Sequence, residues 1–173
     1  MTVTIPTLET ERLVLRCCVD ADHAAMADFF ANDKGAEFVG GPCDARQAWR
    51  VLATFVGHWY LRGYGPFALE DRATGTWIGW CAIWRPPEFP EIEIGYTLRE
   101  AWRGKGLVTE AASRVRTYAF ETLKLPTLVS YIRPDNAPSK QVARRLGARL
   151  EGTIELRATE VEVWRHPKQG AAG

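Results

Sequence analysis

The stretch Trp102-Arg103-Gly104-Lys105-Gly106-Leu107-Val108-Thr109-Glu110-Ala111 constrains this chain most. An apolar, strand-like run (residues 92–98) leads into it, and a helix-like run (109–123) leads out of it. A strand, a tight basic glycine turn and a helix start, in that order, form an anion cradle. Gly104 and Gly106 tolerate positive φ and allow a ligand or backbone to approach closely. The free N–H groups of the helix's first turn point at the turn. Those donors, the helix dipole, Arg103 and Lys105 together favour a phosphate or pyrophosphate.

The rest of the chain supplies alternating strands and helices around this unit. Residues 12–16 alternate charged and apolar side chains and read as a strand. Asp20 is placed to cap a helix over 21–30. A second helix spans 44–61, with Trp49, Leu52, Phe55, Val56 and Trp59 on one broad apolar face. Gly63 and Pro66 break it, and residues 67–71 and 77–83 read as an antiparallel hairpin. After the 92–98 strand and the cradle come a helix to 123, a strand at 127–132 and a helix at 136–146 with Gly147 as its C′ residue. Strands at 149–156 and 160–164 finish the fold. The pattern predicts an α/β (α+β layered) single domain over residues 7–167, with 168–173 a disordered tail.

Composition narrows the function classes. The net charge of +1, without blocks of like charge, argues against a nucleic-acid partner. Seven tryptophans are expected mainly in packing roles. The four cysteines lack C-x-x-C spacing, and adjacent Cys17 and Cys18 point to opposite sides of a strand, so no metal site is expected. With no signal peptide or membrane-length apolar segment, the expectation is a cytoplasmic protein without a membrane partner.

The order of elements, with two motifs, resembles the GNAT superfamily of acyl-CoA-dependent N-acetyltransferases, and most closely its ribosomal-protein N-terminal acetyltransferase branch. Leu8-Glu9-Thr10-Glu11-Arg12-Leu13-Val14-Leu15-Arg16 is similar to that branch's opening strand. Ile94-Gly95-Tyr96 with residues 102–111 resembles the pyrophosphate loop and its leading strand. Asn136-Ala137-Pro138-Ser139 with Leu146-Gly147 resembles the second motif, and Glu151-Gly152 the ending of the strand that follows. The likeness covers residues 7–166.

The resemblance implies a mostly antiparallel central sheet, flanked by helices, whose fourth and fifth strands (92–98 and 127–132) splay apart around the pantetheine arm of acetyl-CoA. Backbone groups of Tyr96, Thr97 and Leu98 would pair with that arm as a pseudo-strand. The pyrophosphate would rest on N–H groups of Gly104, Gly106, Leu107, Val108 and Thr109, with Arg103 and Lys105 at the rim. Asn136 would bond a pantetheine carbonyl and Ser139 would approach the thioester. From the residues alone, Asn136 and Ser139 read first as a helix N-cap pair, and it is the resemblance that reverses the order. Two positions depart from the family pattern: Val108 replaces a smaller residue, and Ala143 stands where many members carry a tyrosine acid.

An amine acceptor must lose a proton before attack, so a carboxylate is needed near the cleft. Glu91 and Glu93 share a strand face by alternation. Glu93, nearer the splay, is the preferred base, with Glu155, Glu160 and Glu162 as runners-up. His58 and His166 are read as packing or surface groups, and His23 is assigned nothing. Trp84, Trp102 and Tyr96 are candidates for the pocket wall, and residues 38–41 for a mobile loop over the acceptor.

The expected function is acetyl transfer from acetyl-CoA to a primary amine, a protein N-terminus or a small amine, by direct attack in a ternary complex. Glu93 and Ser139 are the catalytic pair, and the protein is a monomer or homodimer. A non-catalytic acyl-CoA sensor on the same fold is the alternative. A P-loop or dinucleotide fold is disfavoured, because Gly104-x-Gly106 lacks both the third glycine of a dinucleotide fingerprint and a Gly-Lys-Ser/Thr ending.

Overall fold

The chain opens with a two-residue strand, β1 (Leu8–Glu9), paired antiparallel with β2 (Leu13–Arg16) so that Leu8 lies opposite Leu15. The computed structural model describes residues 4–168, so the expected tail lies outside the described residues apart from Lys168. Helices α1 (His23–Asn32) and α2 (Ala45–Arg62) come next, then the hairpin β3 (Pro66–Asp71) and β4 (Trp77–Trp84). Strand β5 (Glu93–Leu98), helix α3 (Leu107–Thr117), strand β6 (Val129–Ile132) and helix α4 (Ala137–Arg145) follow. The hairpin β7 (Arg149–Leu156) and β8 (Thr159–Arg165) ends the sheet. Its order is β1-β2-β3-β4-β5-β6-β8-β7, antiparallel at every junction except β5/β6.

Helix boundaries follow local chemistry, with two corrections to the expected pattern. Asp44 caps α2 reciprocally with Gln47: Gln47 N donates to Asp44 Oδ1 at 2.7 Å and Asp44 N to Gln47 Oε1 at 3.2 Å. Asp20 does not cap α1: Asp22 holds the N-cap position, and its carboxylate makes no bond to the helix backbone but turns back toward the residues before it. A short 3₁₀ turn (Asp20–Asp22) precedes the helix, Val19 N donates to Asp22 at 2.9 Å, and Arg16 grips the same carboxylate. Trp49 lies off the apolar face of α2. The buried stripe is Ala48, Leu52, Phe55 and Trp59, and Trp49, about 100° further round, is 48 % exposed.

Strand β4 explains how the layers assemble. Ile78, Cys81 and Ile83 face a core shared with α3, while Trp77, Trp80 and Ala82 face a second core shared with α1 and α2. A strand covered on both faces must be apolar throughout, as this one is. Gly79 has φ 149°, and a Cβ there would run into the Thr97 carbonyl oxygen of β5, so only glycine lets the two strands close up.

Between β5 and β6 the sheet nearly parts. A single register pair, Glu93 opposite Val129, joins them, with Val129 N donating to Ile92 O at 3.1 Å. Beyond it side chains replace ladder bonds: Ser130 Oγ donates to Ile94 O at 2.7 Å, and Tyr131 N reaches Glu93 Oε1 at 3.4 Å. These links hold the strands further apart than a backbone ladder would. On its other edge β6 is fully paired, with Val129 to Ile132 opposite Arg165 to Glu162 of β8. The expected splay is therefore present, between strands that are β5 and β6 once the small β1 is counted.

Candidate active site

A cleft of about 1200 Å³ opens at the splay. That exceeds the usual volume of a pocket for one small ligand. Alternation along β5 divides its walls. Glu93, Gly95 and Thr97 oppose Trp84, Ala82 and Trp80 on the α1/α2 side, whereas Ile94, Tyr96 and Leu98 face the α3 side.

The α3 side carries the cradle. Gly104 and Gly106 have φ of 75° and 76°, so both glycines are demanded by the backbone turn. Gly106 caps α3 without a side-chain bond, and the first intrahelical bond of the turn is Glu110 N to Gly106 O at 3.1 Å. The N–H groups of Gly106, Leu107, Val108 and Thr109 therefore have no partner inside the helix. The Thr109 hydroxyl is also buried without a partner. An orphaned buried donor beside free helix N–H groups fits an anionic group. Val108 lines the cleft and leaves the backbone donors in place.

Arg12 fixes the loop from behind. Its backbone N and its Nε donate to the two Glu110 carboxylate oxygens at 2.9 and 2.7 Å, and its Nη1 donates to Lys105 O at 2.9 Å. Sequence reasoning missed this clamp, and its only signal is Glu110 in the first turn of the helix. Both rim cations are folded back. Arg103 pairs with Asp33 and donates to Leu98 O at 2.9 Å, and Lys105 Nζ donates to Ala101 O at 2.9 Å. Asp33 also accepts from Gly35 N and Glu100 N, each at 2.7 Å. Burial opposes its ionisation, but these bonds outweigh it and hold the carboxyl below its ordinary range.

One expectation for β5 needs correction. Ile92 and Ile94 direct their carbonyls toward β6, so by alternation Tyr96 directs its carbonyl and N–H into the cleft and Leu98 its N–H, the Leu98 carbonyl being taken by Arg103 Nε. Thr97 turns its carbonyl toward Gly79 of β4 instead and brings only its side chain to the cleft. Asn136 caps α4, its Oδ1 accepting from Ser139 N at 3.2 Å, which leaves its Nδ2 group as a donor. The Ser139 hydroxyl has no partner among the described residues, and Tyr96 OH donates to the Ser139 carbonyl at 3.1 Å. Ala143 lies on the buried face of α4.

Glu93 stands at the mouth of the splay. It is half-buried, and its carboxyl lies over Gly95, where an added Cβ would meet its Cδ at 3.4 Å. Burial pushes this carboxyl up to about 7, against the opposing pull of the Tyr131 N–H and the Arg157 charge. Glu91 is different. Arg165 grips both its oxygens at 2.8 and 2.9 Å and holds it below the usual carboxylate range. Glu162 is tied to Lys140 and Trp164, while Glu155 and Glu160 pair across the exposed β7/β8 hairpin.

The Acetyltransferase (GNAT) domain family matches residues 12–149, from the Arg12 clamp through the cradle to the start of β7. The chain belongs to the GNAT acetyltransferase family. A solved acetyltransferase from Agrobacterium tumefaciens is 40 % identical, with a TM-score of 0.87 over 97 % of this chain and 98 % of that one. The uncharacterized N-acetyltransferase YoaA of Bacillus subtilis is 31 % identical over 86 % of each chain. The [ribosomal protein uS5]-alanine N-acetyltransferase of Escherichia coli is 24 % identical over 84 % of this chain and 79 % of its own. The likeness to the ribosomal-protein branch therefore holds.

In this GNAT acetyltransferase the α1/α2 side of the cleft is aromatic. Phe55 meets Trp80 and Trp84 edge-on at 5.4 and 5.7 Å, and Phe89 meets Tyr131 at 5.5 Å. His58 supports that wall. It stacks on Trp84 at 4.4 Å, its Nδ1 lies 2.7 Å from Tyr64 O, and its Nε2 accepts from Arg85 N at 3.2 Å. His166 is buried against Ser130, and His23 bonds Ala45 O. Residues 38–41 and Trp102 line the cleft. Burial pushes the Cys18 thiol up to about 12 and raises those of Cys17, Cys43 and Cys81, so none is poised as a thiolate nucleophile.

Proposed function

We propose that this acetyltransferase moves the acetyl group of acetyl-CoA to a primary amine, of a protein N-terminus or a small molecule, by direct attack in a ternary complex. The observation that carries the reading is the Glu93 carboxyl, tuned to about 7, between the anion cradle and the aromatic wall. A carboxyl near neutrality accepts the proton of an arriving ammonium and releases it again to solvent. That favours the enzyme over a sensor.

The cradle N–H groups from Gly104 to Thr109 hold the pyrophosphate, and the Tyr96 backbone with the Leu98 N–H holds the pantetheine arm as a pseudo-strand. Asn136 Nδ2 donates to a pantetheine carbonyl. The Tyr96 N–H polarises the thioester carbonyl. Glu93 takes one proton from the amine, the nitrogen forms the C–N bond, and the tetrahedral centre collapses with cleavage of the C–S bond. The leaving thiolate is weakly basic, and Ser139 relays to it the second proton, which the nitrogen sheds as the tetrahedral centre collapses. Most of the acceleration comes from holding the two substrates together.

Thermal shift and thiol release test the proposal. Saturating acetyl-CoA raises Tm, and CoA thiol appears only when an amine is added. Glu93→Gln lowers kcat about a hundredfold and Ser139→Ala by a smaller factor. An unchanged Tm at saturating acetyl-CoA contradicts the donor assignment.

A further inference from the structure

The acceptor half of the cleft is rigid, apolar and bordered by positive charge, and these properties select among amines. Phe55 and Trp80 are 7 % and 5 % exposed and locked edge-on, while His58 backs Trp84, so this wall is preformed. Across the gap stand Phe89, 8 % exposed, and Val161 of β8. Glu93 is the ionisable side chain of β5 that lines this part of the cleft.

Charge at the border is mostly cationic. Arg133 is engaged by Asp135 at 2.6 Å and Arg157 by Glu88. Arg50 lines the cleft on α2, one turn before Thr54 and next to the Phe55 wall, and its guanidinium has no partner among the described residues. A guanidinium fork is matched in geometry and charge by a carboxylate. The lining carboxylates are Glu37 and Glu93 against six Lys and Arg side chains, so the second and third ammonium groups of a polycation would meet more cations than acids.

We infer that the acceptor is amino-acid-like: a primary amine on a bulky apolar or aromatic body, with a carboxylate that Arg50 receives at the mouth of the cleft. The inference rests on the acetyl-transfer reading. It assigns the apolar body to the wall of Phe55, Trp80 and Trp84, the amine to Glu93 and the acid to Arg50. It disfavours polyamines and lysine-rich peptides.

Thiol release from acetyl-CoA, measured for phenylalanine, phenylalanine amide, phenethylamine and spermidine, tests it. Phenylalanine is expected to exceed its amide in kcat/KM about tenfold, the yield of one charge-assisted bond, with spermidine slowest. Arg50→Gln, at an exposed helix position, is expected to bring the acid-to-amide ratio near one through KM, whereas a purely structural role would leave that ratio intact. Preference for spermidine, or an amide as good as the acid, overturns the class and leaves acetyl transfer standing. An absence of thiol release with every amine overturns both.

Discussion

At the scale of single residues, two side chains are left in states that are costly without a ligand. Glu93 is one. Its folded value of about 7 lies above the ordinary 4.5, so its contribution to stability is complete below pH 4.5 and is lost as pH rises through 7. Glu93→Gln is therefore expected to stabilise the protein by about 2–3 kcal/mol at pH 8 and hardly at all at pH 4, while lowering activity. Denaturant melts at the two pH values read the difference. Thr109 is the other. Thr109→Val removes a buried unpaired hydroxyl, so the free protein should be no less stable, yet acetyl-CoA affinity should fall about tenfold. Calorimetric titration checks this, and unchanged affinity would take Thr109 out of the cradle. Glu93 was legible in the sequence because strand alternation put it beside the splay. Asp33 and Arg12 were not, because each works through a partner some 70 to 98 residues away, Arg103 and Glu110, and spacing carries no sign of such pairs.

At the scale of elements, a glycine turn and a hairpin turn show opposite choices of residue for the same backbone. The cradle uses Gly104 and Gly106 at positive φ, whereas the β7/β8 turn places Arg157 and Ala158 at φ 51° and 56° between the paired Leu156 and Thr159. A two-residue hairpin with positive φ at both positions favours Asn-Gly. Ala158→Gly should relieve that cost and stabilise by about 0.5–1 kcal/mol, seen as a higher Tm with the acetyl-CoA KM unchanged. Gly106→Ala should do the reverse. A Cβ there has room, 3.6 Å from Arg12 Nη2, but the φ strains the loop, raising the acetyl-CoA KM more than it lowers kcat. The sequence announced α3 and α4 through their glycine turn and Asn136 cap. The π turn at the end of α3 (Tyr118–Thr122) and the 3₁₀ turn before α1 had no such signal, since both arise from packing.

For the whole molecule, the sheet is two blocks, β1–β5 and β6–β8, joined by one register pair and by side-chain links from Ser130, Glu93 and the Arg165–Glu91 pair. His166 backs the Ser130 link. Ser130 donates to Ile94 O, so it accepts from His166 Nε2–H at 2.9 Å, and His166 Nδ1 is left buried without a partner. Burial, with the nearby Arg116 charge, pulls this histidine down to about 4. A value depressed below 6.5 gives stability that is present above 6.5 and lost as pH falls through 4. His166→Gln is expected to flatten the loss of Tm between pH 6.5 and 4, and an equally steep loss in the variant would deny the histidine that role. The parting of the strands could be expected from the likeness of the motifs on either side of it, whereas the strand order could not. The buried histidine could not, because a lone His near a chain end carries no mark of what packs on it.

The proposed transfer of the acceptor's proton to Glu93 beside the CoA cradle is read most directly from the pH dependence of kcat/KM for the acceptor in the wild type and in Glu93→Gln. The wild type should show an ascending limb near pH 7 that levels above it. In the variant that limb should move up to the pKa of the free amine. A limb near 7 that survives the substitution would assign the proton to a group other than Glu93.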